Sequence, residues 1–293
     1  MTNTIQPSYK KEVAQYTKKD AVHALLFAAY IAIMAFCSSV LAAVFEVNDT
    51  GGQMTFTLFF WGVGFMLLAL APLFAMIKKK GQGLHSLGIH LIGWKKSLFA
   101  GLLFTAMFLM LFNGLLPGLL AGWQMRSAAM AAWIIVYTLI MAFWEDIVYV
   151  GYIQTRIYGL IKKDFWAVAA VGLIFSVIHY PGFIIPNIVS GEGLGVNFWL
   201  MFAGMSLSWM MGHILFNTLF RRFRSIIVVT LFHFSSNLAL QGGLWEYTGE
   251  DDISIFFIIS GGIAFVAFLS TAVFNRFPLK HSKELKLYSA EEK

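Results

Sequence analysis

Seven polar side chains sit inside apolar runs where polarity is costly: Glu145, Asp146, His179, His213, Asn217, His233 and Asn237. An ionisable group at the centre of a membrane helix costs at least about 2.5 kcal/mol and marks function by default. A carboxylate out of water holds a proton more readily, which suits a general base near neutrality. A histidine beside it can share that proton and position a water. His233 and Asn237 are four residues apart, so they point the same way from one helix, and both can donate to a developing oxyanion. Glu145, His179, His233 and Asn237 are therefore expected to form a water-activating hydrolytic site with no Ser or Cys nucleophile. Zinc is the chemical rival, because Glu and His are acceptable ligands. No His-Glu-x-x-His pair is present, however, and the histidines come from separate helices. The expectation is a site without metal or other cofactor.

These residues must be brought together by helices entered from the same side. Glu145 precedes Arg156 by 11 residues, His179 follows Asp164 by 15, and His233 follows Arg224 by nine. At 1.5 Å per residue those are depths of ~16, ~22 and ~13 Å. The convergence predicts one shared polar cavity open towards the cytoplasm. Glu145, Tyr149, Tyr152 and Arg156 fall in a narrow arc at 3.6 residues per turn, a polar stripe from the buried acid to the mouth. Asp146 lies about 100° round from Glu145. It need not share that cavity, and is expected to contribute to helix packing.

Composition fixes the class. Of 293 residues, 59% are hydrophobic and only 12% charged, against roughly a quarter charged in soluble domains. A soluble fold could not hide this much apolar surface, which excludes a secreted enzyme, a DNA-binding domain and a disordered chain. The remaining class is an all-α polytopic membrane protein. A spanning helix needs about 20 apolar residues, and eight candidates appear, at 21–45, 54–77, 97–117, 128–150, 165–189, 197–219, 225–243 and 253–275. With both termini in the cytoplasm, 20 of the 21 Lys and Arg residues fall inside, and only Arg126 falls outside. The expected outer loops carry Glu46, Asp49, Glu192, Glu246, Glu250, Asp251 and Asp252. The net charge of +6 needs no nucleic acid, since membrane proteins gather basic residues on their cytoplasmic side. A single integral membrane domain (21–276) is thus expected between polar cytoplasmic tails, 1–20 and 277–293. No removable signal peptide is expected, because the first apolar run is too long and lacks a cleavage site. Cys37 is the only cysteine, which excludes an intramolecular disulfide.

The site residues resemble a known family. Glu145-Asp146-Ile147-Val148-Tyr149-Val150-Gly151, Phe175-Ser176-Val177-Ile178-His179 and His233-Phe234-Ser235-Ser236-Asn237 are similar to three motifs of the CAAX-protease and bacteriocin-processing (CPBP, or Abi) family of intramembrane glutamic proteases. Those motifs are Glu-Glu-x-x-x-Arg, Phe-x-x-x-His and His-x-x-x-Asn, each on its own membrane helix. Order and spacing agree over about 95 residues, and Leu87–Trp94 also looks like the family, giving a family-like core of 87–243. Asp146 stands where the family has its second Glu, and Val150 where it has Arg. The resemblance implies that Glu145 and His179 activate the attacking water. It implies an oxyanion hole of His233 and Asn237, a peptide or protein tail cut near the cytoplasmic membrane surface, and no metal.

The alternatives are a proteolytically silent member acting as a scaffold or regulator of a membrane protein partner, and a transporter using the same cavity. The outer halves of the helices look almost wholly apolar, which counts against permeation. His213 and Asn217 repeat the His-x-x-x-Asn spacing but match no motif, so they are expected to act as interhelical glue. His179 also has a plain reading as a kink residue, because Pro181 and Pro186 free backbone carbonyls nearby.

Overall fold

In lipid every backbone polar group must be paired internally, so apolar runs of this length fold as helices. The computed structural model describes residues 6–44, 62–90, 93–119, 122–189, 194–240 and 244–248, with parts of 258–269. Helices α1 (Gln6–Val13), α2 (Lys18–Val44), α3 (Phe65–Lys79), α4 (Trp94–Phe108), α5 (Ala128–Asp146), α6 (Asp164–Val177), α7 (Tyr180–Val189), α8 (Val196–Phe223) and α9 (Ile226–Leu240) follow in order. A short antiparallel ribbon pairs β1 (Trp123–Met125) with β2 (Trp245–Tyr247).

Six stretches are long and apolar enough to cross a membrane: Lys18–Leu41, Gly62–Lys79, Trp94–Leu115, Ala128–Gly159, Asp164–Val189 and Val196–Phe223. The protein is an all-α, integral membrane protein. These six answer to the first six expected spans. The seventh, α9, has 15 residues, about 22 Å of helix. It is packed between α4, α5 and α8, so most of its surface meets protein and not lipid. The eighth expected span lies largely outside the described residues.

Local sequence explains several boundaries. Thr17 and Asp20 form a reciprocal cap at the start of α2: the Thr17 amide donates to Asp20 Oδ2 (2.9 Å) and the Asp20 amide to Thr17 Oγ1 (3.3 Å). Lys80 then reaches back to Asp20 at 2.8 Å, tying the end of α3 to the start of α2. Ser127 caps α5 by accepting the Met130 amide at 3.2 Å. At the far end of the same span, helical bonding loosens to i→i+5 over Ile147–Ile153 and tightens again at Ile157–Gly159. Such wide turns are rare and gather at functional sites.

Two glycines allow backbones to meet. A Cβ on Gly151 would lie 2.7 Å from the Leu87 carbonyl oxygen, and one on Gly159 would lie 2.0 Å from that of Thr17. The turn at 84–90 thus presses on the α5 span. Its Gly88 carbonyl also accepts the Ile226 amide at 3.1 Å, and His90 Nε2 donates to the Arg224 carbonyl. This turn buckles the α5 span to the α8–α9 junction.

Candidate active site

Glu145 and Asp146 end the regular part of α5, immediately before the wide turns, and both are buried (4% and 1% exposed). His233, from α9, stands between them. Its Nδ1 lies 3.0 Å from Asp146 Oδ1, and its Nε2 lies 3.7 Å from Glu145 Oε2. A carboxylate only accepts, so Nδ1–H donates to Asp146 and Nε2 is the ring atom that faces Glu145. Asp146, which by helix angle need not share the cavity, is thereby linked to Glu145 through His233. The 100° between neighbouring residues does separate the two acids, but an imidazole has polar atoms on two edges and bridges that arc.

The same bridging bears on metal chemistry. Nδ1 and Nε2 point outward in different directions, so the two acids and this ring do not converge on one point. Among the described residues no group of three His, Cys, Asp or Glu is arranged to hold a metal ion.

His179 sits where the 164–189 span breaks. Its own amide donates to the Ser176 carbonyl (3.1 Å), three residues back, which leaves the Phe175 carbonyl without its usual helical donor. The His179 ring takes that place, with Nδ1 donating to the Phe175 carbonyl at 2.6 Å. The kink thereby fixes the tautomer and leaves Nε2 as the acceptor edge. Trp209 of α8 stacks on the ring, with centroids 4.5 Å apart and planes 21° apart. The resemblance implied His179 as the partner of Glu145; the imidazole that meets Glu145 is His233.

Phe175 holds these groups apart. Its ring centroid lies 4.9 Å from that of His179, 5.1 Å from Tyr149, 5.8 Å from His213 and 5.9 Å from His233. Phe216 covers another side of His233 at 4.5 Å. Asn237 is on α9 one turn beyond His233, half-buried. His213 and Asn217 are buried on α8, and His213 Nε2 donates to Gln154 Oε1 at 2.9 Å. That bond joins α8 to the α5 span, as the glue reading expects.

The stripe from Glu145 to Arg156 divides. Tyr149 turns to Phe175 on α6, while Tyr152 turns to Phe27 on α2 (5.7 Å). The i→i+5 turns between them widen the helix, so angles counted at 3.6 residues per turn do not hold there. Arg156 is no loop anchor. It is buried, and its guanidinium donates to Gln82 Oε1 (2.7 Å) and Ser86 Oγ (3.0 Å). The Phe-x-x-x-His motif singled out Phe175, though not its place as a hub, and sequence reasoning missed Trp209 as the stacking partner of His179. One Trp among nine carries no signal of its own.

The family model described as type II CAAX prenyl endopeptidase Rce1-like matches residues 127–239. That segment is similar to the type II CAAX prenyl endopeptidases. It begins at the cap of α5 and ends in α9, so the matched segment contains Glu145, Asp146, His179, His233 and Asn237. No curated relative and no solved structure matches the chain. Family and helices together support a CAAX-protease-type endopeptidase acting on peptide substrates in a membrane.

Proposed function

We propose that the protein is an intramembrane glutamic endopeptidase that cuts a peptide or protein tail near the membrane surface at its basic, cytoplasmic end. Glu145 takes a proton from water as the oxygen attacks the scissile carbonyl. His179 Nε2 is a second acceptor for that water across Phe175. The tetrahedral oxyanion is met by the Asn237 amide and by His233 Nε2 when that atom carries a proton. Collapse breaks the C–N bond, and the leaving nitrogen receives the proton that Glu145 took. The chemistry needs no metal and no nucleophilic side chain. The observation that carries the reading is His233 held between Asp146 and Glu145 by opposite edges of its ring.

The test compares the proteome of cells carrying wild type with that of cells carrying Glu145→Gln. A membrane-associated precursor should accumulate in the variant, and the purified wild type should convert it. The purified enzyme should keep its rate in EDTA or phenanthroline. Inactivation by chelator with recovery on zinc would replace the glutamic reading with a metal one.

A further inference from the structure

The N-terminal residues were expected to be a polar tail, yet α1 and the residues after it are docked. Glu12 is buried and pairs with the buried Arg224 guanidinium at the α8–α9 junction. Tyr9 lies under Arg221 (5.2 Å) and Arg224 (5.1 Å) and meets Tyr158 edge-on at 6.0 Å. Burial pushes the Tyr9 hydroxyl above its ordinary pKa, so both guanidiniums face a neutral ring. Arg156 lies over the rings of both Tyr16 and Tyr152, each centroid 4.6 Å away. Behind Arg156, Tyr152 and Tyr149 are 1% and 0% exposed and fill the span back towards Glu145. Tyr16 thus lies against Arg156, and Arg156 against Tyr152.

We propose that residues 9–16 are a releasable strap that closes the route from the basic end of the bundle to Glu145. Three features distinguish a strap from a permanent wall. First, α1 has eight residues, too few to persist as a helix without its docking contacts. Second, its polar anchors are an ion pair and cation–π contacts, and not apolar contacts alone. Third, the ion pair is under-satisfied while closed: Glu12 Oε1 and Arg224 Nη1 are buried without hydrogen-bond partners. Opening returns both charges to water, which recovers the desolvation penalty that offsets a buried pair. The strap's effect on cleavage rests on the peptidase reading, whereas its effect on access does not.

The experiment uses the full chain in a Cys37→Ala background with Tyr149→Cys as reporter and a water-soluble maleimide as probe. Glu12→Gln should raise the labelling rate at least tenfold. So should Gly159→Ala, whose new Cβ pushes the Thr17 carbonyl away without touching the strap's own side chains. The swapped pair Glu12→Arg with Arg224→Glu should return the rate towards that of the Tyr149→Cys parent. Unchanged labelling in both single variants, with normal gel-filtration profiles, overturns the strap. Should the variants aggregate, amide exchange on the Cys37→Ala protein decides. Amides of 9–16 opening faster than those of α9 support the strap, and equally slow exchange overturns it. Faster labelling without any Glu145-dependent cleavage supports the strap and removes the peptidase reading.

Discussion

Asp146 grips His233 by Nδ1 at 3.0 Å and so determines which ring nitrogen is presented to Glu145. Removing the charge while keeping the shape removes that control. Asp146→Asn should lower kcat by about 10²–10⁴, the usual worth of a positioned acid–base group, with KM little changed. Asp146→Glu should retain more activity than Asp146→Asn, since the longer acid can still accept Nδ1–H. Steady-state kinetics on both variants check this, and Asp146→Asn at wild-type rate would return Asp146 to a packing role.

Glu145→Gln should abolish cleavage, because an amide cannot take the proton from water. Asn237→Ala should leave a residue of activity, as losing one oxyanion donor costs about 10²–10³ in kcat. Single-turnover rates separate the two, and equal, complete loss in both would argue against an oxyanion role for Asn237.

Val150 occupies the place of the family's Arg and is wholly buried in the apolar core. Asp146, four residues before it, is already engaged by His233. Asp146 Oδ2 is buried without a hydrogen-bond partner, but a Val150→Arg guanidinium must displace packed apolar side chains to reach it, so a loss of about 1–3 kcal/mol is expected. Val150→Leu keeps the chemistry and should be tolerated within about 1.5 kcal/mol. Expression level and thermal unfolding in detergent are the readouts; a well-folded Val150→Arg protein would reveal room that the packing does not display.

Orientation is checked by single cysteines in the Cys37→Ala background. Lys79→Cys and Lys162→Cys should react with an impermeant reagent only from the cytoplasm. Gln124→Cys, in the ribbon at the opposite end, should react only from outside. All six positions of Lys78, Lys79, Lys80, Lys162, Lys163 and Arg222 belong to the same expected face, so reversed labelling would invert the bundle and the basic-end entrance with it.

Much of this was legible before any coordinates. Three motifs on three apolar runs singled out Glu145, His179, His233 and Asn237 as candidates, because polar groups in lipid are conspicuous. The helices were legible for the same reason. What escaped was relational. Counting 100° per residue treats a partner as a point, and His233 is a plate with two polar edges. The same count assumes uniform turns, and Ile147–Ile153 does not have them. Arg156 reads in sequence as the end of the polar stripe at the mouth; only tertiary packing brings Tyr16 against it beside Tyr152. Glu12 and Arg224 are 212 positions apart, beyond the reach of any local pattern.

The ribbon at the opposite end has a mechanical consequence. Arg126, the one basic residue expected outside, donates through Nε to the Trp245 carbonyl at 3.1 Å, and its amide donates to the Leu244 carbonyl at 2.9 Å. Asn113 accepts the Leu244 amide at 2.8 Å. The ribbon thus yokes the start of α5 to the segment after α9, and the buckle at 84–90 yokes their other ends. The two helices bearing Glu145, Asp146, His233 and Asn237 are clamped like a tuning fork joined at both tips. Apart from release of the 9–16 strap, breathing that admits a substrate falls to the remaining wall, where α6 is cut at His179 and continues as the separate lever α7.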